Sequence, residues 1–261
     1  MRFAMNHIAA PGLSLEAFFT MARELGASEV EIRNDLPDIV ATLSASEVRD
    51  MASTAGVRII SINALYPFNL WSGDLPDRAE ALADYAAACG AKALVMCPLN
   101  DGRTVTFDDL VAALSGLKPL LEARSLTGLV EPLGFPVSSL RSKAQAISAI
   151  EAAGGAQTYR LVHDTFHHHL AGEREFFPEW TGLVHISGVT DPDIPVEAML
   201  DPHRGLVDAR DRLGNLDQIR TLLAGGYDGP FSFEPFSPQV HALSDPETAL
   251  RDSMSHVIAH V

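Results

Sequence analysis

TGLVEP, residues 127–132, is a short apolar run that closes on a carboxylate, and three later segments repeat that design: RLVHD at 160–164, GLVHIS at 182–187 and FSFEP at 231–235. Apolar runs of this length read as buried strands. Each places one polar side chain, Glu131, Asp164, His185 or Glu234, at or near its carboxyl end. Strand side chains alternate between two faces, so Val162 shares a face with Asp164, Leu183 with His185 and Ser232 with Glu234. In a parallel barrel the carboxyl ends of successive strands converge on one rim, which would gather these four distant residues.

Working outward, the same alternation predicts eight strands, near Arg2–Asn6, Val30–Arg33, Arg58–Ile62, Ala93–Cys97, Thr127–Glu131, Arg160–Asp164, Leu183–Ser187 and Phe231–Glu234. Helical periodicity fills the gaps at 15–25, 46–55, 77–89, 107–123, 140–153 and 216–224, with a closing helix at 246–260. Glycines at 26, 56, 90, 154 and 225 are expected to end helices in the left-handed conformation, and Ser14, Ser46 and Thr106 stand where N-caps belong. The βα alternation suits a (β/α)8 TIM barrel covering residues 1–261 as one domain. An open doubly wound sheet fits less well, because the segment after the first strand, NHIAAPGLS, has neither GxGxxG nor a P-loop lysine. The long irregular stretch 189–213 reads as an active-site loop.

Composition narrows the function classes. With 34 acidic against 19 basic residues the formal charge is -15, which repels a phosphate backbone, so no nucleic-acid partner is expected. No stretch approaches the roughly 20 apolar residues needed to cross a bilayer, and the amino terminus MRFAMNH is unlike an export signal. Cys89 and Cys97 show no CxxC spacing, so two free thiols and a cytoplasmic location are expected. The assembly state stays open, a homo-oligomer included. Of the three lysines, Lys92 precedes a strand and Lys118 and Lys143 fall on helical segments, which disfavours imine chemistry. No glycine-rich phosphate cradle follows strand seven or eight, which favours a neutral polyol or sugar over a sugar phosphate.

Three carboxylates converging inside a barrel are costly unless a cation neutralises them. Glu131, Asp164, His185 and Glu234 form an oxygen-rich set with one imidazole, suited to a single Mn²⁺, Zn²⁺, Co²⁺ or Mg²⁺ ion. Any one of the four, read alone, is equally a hydrogen-bonded strand end. His163 should face the helix layer, His167 could reach back over the rim, and His168 and His169 read as solvated. Asn6, Glu31 and Arg33 could line the rim or form a structural ion pair there. Trp71 could cover a substrate ring, and Met96 and Cys97 read as strand packing.

The quartet, with DTFH from Asp164 to His167, resembles the xylose-isomerase-like TIM-barrel superfamily of sugar isomerases and epimerases. Within it, EPLGF from Glu131, HDTFHHHLAGE from His163, VHISGV from Val184, DPHRGLVD from Asp201 and SFEPFSPQV from Ser232 look most like the inosose isomerases of inositol catabolism. The resemblance implies that Glu131, Asp164, His185 and Glu234 are metal ligands, manganese being the foremost ion. It further implies that His167 and Arg204 contact substrate and that 2-keto-myo-inositol and 1-keto-D-chiro-inositol interconvert; a mechanism through an enediolate would make Glu131 and Glu234 the catalytic base and acid. The chain has HISGV where many relatives have HIKD, so their lysine and aspartate are missing. Open-chain ketose 3-epimerisation and hydroxypyruvate isomerisation use the same chemistry; metal-dependent hydrolysis and a catalytically silent polyol-binding barrel are the remaining alternatives.

Overall fold

All eight expected strands form, and they close on themselves. The computed structural model describes residues 1–37 and 39–261. Its strands are β1 (Arg2–Asn6), β2 (Glu29–Arg33), β3 (Arg58–Leu65), β4 (Ala93–Met96), β5 (Thr127–Val130), β6 (Tyr159–Asp164), β7 (Thr181–Ile186) and β8 (Pro230–Phe233). They pair in parallel in chain order, and β8 returns to β1, making a closed barrel. The helices α1 (Leu15–Glu24), α2 (Ala45–Ala55), α3 (Leu75–Cys89), α4 (Phe107–Ala123), α5 (Lys143–Ala152), α6 (Thr165–Ala171), α7 (Asn215–Ala224), α8 (Pro238–His241) and α9 (Pro246–His260) lie between and after them. Among the described residues no helix is long and apolar enough to cross a membrane.

Two apolar layers hold this shape. Outward-facing strand residues such as Met5, Ile32, Leu94, Leu161 and Phe231 pack beneath the helices with Phe18, Leu114 and Ile150. Inside the barrel, Ala93, Val95, Leu129, Val162 and Leu183 form a separate plug. Alternation then sets the next inward residues of three of these strands, Glu131, Asp164 and His185, directly above the plug. Register aligns the layer: Asn6 lies opposite Glu31, Arg33 opposite Asn63, Asp164 opposite His185, and His185 opposite Ser232. Glu131 and Glu234 stand one residue past their strands, yet their amides still donate to Met96 and Ile186 carbonyls at 3.0 Å.

Local chemistry explains most helix boundaries. Ser14 and Thr106 cap α1 and α4 as expected. For α2 the cap is Ser44, not Ser46, because Ser44 makes a reciprocal capping box with Glu47. The helix expected from 140 begins only at Lys143, since Ser142 caps it and the Arg141 guanidinium is held by the Gly134 and Leu170 carbonyls. Gly225 is also corrected: it is right-handed at φ -78°, and Gly226 takes the left-handed turn at φ 92°. The seven-residue α6 and four-residue α8 were not expected, being too short to show a helical period.

The stretch after β7 does reach the rim. It contains two 3-10 turns, and Gly188 and Gly205 exchange backbone hydrogen bonds of 2.8 and 2.7 Å. A Cβ on Gly188 would lie 2.6 Å from the Leu206 carbonyl oxygen, so a side chain there would push the loop away. That bridge presents Arg204 to the barrel mouth.

Candidate metal centre

Glu131, Asp164, His185 and Glu234 are all buried, and each offers one ligand atom within 4.8 Å of the others. The Nδ1 atom of His185 is the hub. It lies 3.1 Å from Glu131 Oε1, 3.1 Å from Glu234 Oε2 and 4.0 Å from Asp164 Oδ2. Ion-to-ligand distances of about 2.0–2.2 Å separate ligand atoms by at most roughly 4.4 Å, so a contraction of a few tenths of an ångström suits a first-row divalent ion.

Each ligand is held by a different device. Asp164 caps α6: its Oδ1 accepts from the amides of Phe166 at 2.7 Å and His167 at 3.0 Å, which turns Oδ2 into the barrel. Glu234 Oε1 accepts from Asn6 Nδ2, Arg33 Nη1 and Asn63 Nδ2 at 3.2, 3.0 and 3.2 Å. Glu131 is bonded more sparsely, its Oε2 meeting the Cys97 thiol at 3.3 Å. His185 turns its Nε2 to Glu31, at 3.1 and 3.2 Å from the two oxygens. Arg204 is wholly committed within the protein, with Nη2 on Asp164 Oδ2 at 2.5 Å and Glu234 Oε2 at 2.9 Å, Nε on Ser187 and Nη1 on Asp201. Its guanidinium also lies over the rings of Phe166 and Phe236.

The charge balance fits a dication. Among the buried groups of the centre, the carboxylates of Glu31, Glu131, Asp164 and Glu234 against the guanidinium groups of Arg33 and Arg204 leave two negative charges when His185 is neutral, and the more exposed Asp35 and Asp201 add to that excess. Burial alone would depress the His185 imidazole, but Glu234, Glu31 and Glu131 outweigh it and hold the group well above its ordinary pKa. Burial would likewise raise Glu234, yet His185, Arg204 and Arg33 drive it far below the usual carboxylate range. The residues therefore fit a divalent ion in donor type, spacing and charge. Among the described residues no second group of His, Cys, Asp or Glu is clustered this way.

The other expected positions divide. His163 does face the helix layer, with Nε2 at 2.9 Å from Gln218. His167 is buried against Phe135 and Phe166, and its Nδ1 has no hydrogen-bond partner. His168 is not solvated: it is buried on α6, its Nδ1 is 2.9 Å from Lys143 Nζ, and burial depresses its pKa to about 3. His169 is half-buried on the same helix. Lys143 reaches inward to His163 and His168, and burial lowers it to about 8. Trp71 does not cover the barrel mouth; its indole packs so tightly on α4 that a Cβ on Gly116 would lie 2.3 Å from it. Met96 is outer-layer packing as expected, whereas Cys97 points inward to Glu131. Asn6, Glu31 and Arg33 all touch the centre. Asn63 and Ser61 were missed, although both lie on β3 facing the barrel interior.

Comparison with known proteins follows this geometry. A family model described as a xylose isomerase-like TIM barrel matches residues 19–260. No curated protein matches the sequence. Among solved structures, a xylose isomerase domain containing protein from Salmonella typhimurium LT2 is 40% identical, with TM-score 0.92 over 99% of this chain and 96% of that one. IolI protein with a bound zinc atom is 19% identical, with TM-score 0.85 over 99% and 98% of the two chains. D-psicose 3-epimerase from Clostridium cellulolyticum H10, solved with D-tagatose, is 12% identical, with TM-score 0.77 over 100% and 99%. The last two likenesses establish a shared fold.

Proposed function

We propose that this chain, which belongs to the xylose isomerase-like TIM barrel family, is a divalent-metal-dependent isomerase of a cyclic polyol ketone. The reaction is interconversion of 2-keto-myo-inositol and 1-keto-D-chiro-inositol. The observation that carries this reading is the meeting of Glu131, Asp164, His185 and Glu234 around one point above the barrel plug. The zinc atom of the structurally similar IolI protein supports placing an ion there, manganese and zinc being the foremost choices for a three-carboxylate, one-imidazole set.

When bound, the ion supplies Lewis-acid polarisation of the substrate ketone and the neighbouring hydroxyl. The protein's own task is to move a proton between two adjacent carbons. A glutamate oxygen takes the proton from the hydroxyl-bearing carbon, and the electron pair enters an enediolate. A proton returned to the former carbonyl carbon, with the hydroxyl proton of the other oxygen passing to the former carbonyl oxygen, leaves the ketone displaced by one carbon; atoms balance and no redox partner is needed. The two glutamates are unequal in this. Three N–H donors fix Glu234 Oε1 as an anion, whereas Glu131 Oε2 meets only a thiol, which supports Glu131 as the more mobile proton carrier and Glu234 as its charged counterpart.

His167, whose backbone amide binds Asp164, has a buried ring nitrogen without a hydrogen-bond partner, which supports a contact with a ring hydroxyl. Arg204 binds two of the ligand carboxylates and is placed to stabilise negative charge developing next to them. Metal analysis of the purified protein, coupled to inosose isomerisation before and after chelation, tests the reading. Activity should vanish with the ion and return with it. Solvent-deuterium exchange into inososes, ketoses and hydroxypyruvate, measured side by side, separates this reaction from open-chain ketose 3-epimerisation, whose enzymes share the fold, and from hydroxypyruvate isomerisation. Exchange into none of them favours a hydrolase or a silent binding barrel.

A further inference from the structure

His185 has two ring nitrogens and only one of them faces the ligand carboxylates. The other, Nε2, meets both oxygens of Glu31 at 3.1 and 3.2 Å. Glu31 lies in the barrel interior on β2, with no exposed surface. It cannot swing away, because hydroxyls from two other strands grip it: Ser232 Oγ donates to Oε1 and Ser61 Oγ to Oε2, each at 2.6 Å. Asn6 Nδ2 approaches Oε1 at 3.4 Å while also serving Glu234. A carboxylate can only accept, so this cradle requires a proton on His185 Nε2 and leaves the Nδ1 lone pair as the one available to an ion.

We infer that Glu31 is a positioning residue that locks His185 in the Nε2–H tautomer with Nδ1 aimed at the ion. It does so from outside the ligand set and from the opposite half of the barrel. The arrangement answers a problem specific to this site: an imidazole among three ligand carboxylates could turn either nitrogen toward them, and only a fixed acceptor behind it selects one. Partners of this kind are worth roughly 10–100-fold in metal affinity. The inference rests on the reading that the four residues hold a divalent cation, and is independent of the substrate assigned.

Competitive chelator titration with Zn²⁺ and Mn²⁺ on the full chain tests it. Wild-type protein should bind one ion. Glu31→Gln, which keeps an acceptor and loses the charge, should bind more weakly by about tenfold, and Glu31→Ala by about a hundredfold. Should Glu31→Gln fail to fold, a Ser61→Ala, Ser232→Ala double variant loosens the same carboxylate without removing it, and it should weaken binding several-fold. Long-range ¹H–¹⁵N spectra of histidine-labelled, Zn²⁺-loaded protein supply a signature that a packing role would not move: His185 should carry a slowly exchanging Nε2 proton in the wild type and lose that protection in the variants. Wild-type affinity in folded variants, or Nε2 ligation in the wild type, overturns the inference. A wild-type chain that binds neither ion instead removes the metal-site reading itself.

Discussion

The two halves of the barrel contribute different chemistry to the same centre. Strands β5 to β8 carry the four ligand-type residues, each at or just beyond a strand end. Strands β1 to β4 contribute Asn6, Glu31, Arg33, Ser61, Asn63 and, just past β4, Cys97. All but Ser61 bond to the ligands rather than join them, and Ser61 holds Glu31 behind His185. The first half therefore adds orientation and charge through Glu31 and Arg33, and the second presents the lone pairs together with Arg204 on Asp164 and Glu234. A site built this way is preorganised by hydrogen bonds that converge from around the whole barrel, so either half can be disabled separately.

Removing both glutamates from the second half should have the largest effect. A Glu131→Gln, Glu234→Gln double variant is expected to lose at least about 10⁴-fold in kcat/KM, since general acid–base groups alone supply up to that factor. Near-wild-type turnover would dissolve the distinction between the halves. Asp164→Asn should abolish metal binding and activity together, read by metal analysis and by turnover in one preparation.

In the first half, Arg33→Ala sharpens the comparison. It strips the buried Glu234 of one of its two guanidinium partners, a 3.0 Å contact with both side chains buried, and although Arg204 stays at 2.9 Å, breaking such a pair costs about 3 kcal/mol. For a chain of this length that is roughly 10 °C in Tm. Added divalent ion should recover more stability in the variant than in the wild type, because the ion takes over the neutralisation. Equal recovery in both would mean that Arg33 merely packs.

Acidity offers a gentler probe. The carboxylates raise the His185 imidazole above its unfolded value of about 6.5, so the stability its proton confers on metal-stripped protein is complete below that pH and fades as pH climbs through the raised folded value. Glu31 and Glu234 are lowered, so their contribution is present above the usual carboxylate range and is lost on acidification. Chemical denaturation of metal-stripped protein across pH should show stability declining on the alkaline side, while ion affinity rises there as the competing proton leaves Nδ1. The smallest effect should come from Cys97: Cys97→Ser keeps a donor to Glu131, and kcat/KM should change by less than about tenfold.

The second half was far more legible in the sequence than the first, for a physical reason. A carboxylate or imidazole closing a run of Leu and Val breaks a pattern, so Glu131, Asp164, His185 and Glu234 could be read as one rim from strand alternation alone. Asn63 and Ser61 break nothing, because short polar residues are ordinary near strand ends, and β3 runs to Leu65, beyond the expected Ile62. Glu31 and Arg33 were noticed, but which partners they reach depends on barrel closure, which brings β2 to His185 and Glu234. His168 was misjudged because the seven residues of α6 are too few to show a helical period. His168 and His169 looked solvated, and Asp164 as a cap instead folds them with His167 into α6.

The central claim is that four residues from β5 to β8 share one ion. Anomalous diffraction from crystals grown with Mn²⁺, recorded on both sides of the manganese edge, tests this most directly. The account predicts a single peak within about 2.3 Å of Glu131, Asp164, His185 Nδ1 and Glu234 oxygen or nitrogen atoms. A strong peak elsewhere, or fully manganese-soaked crystals with no peak among these four side chains, would contradict it.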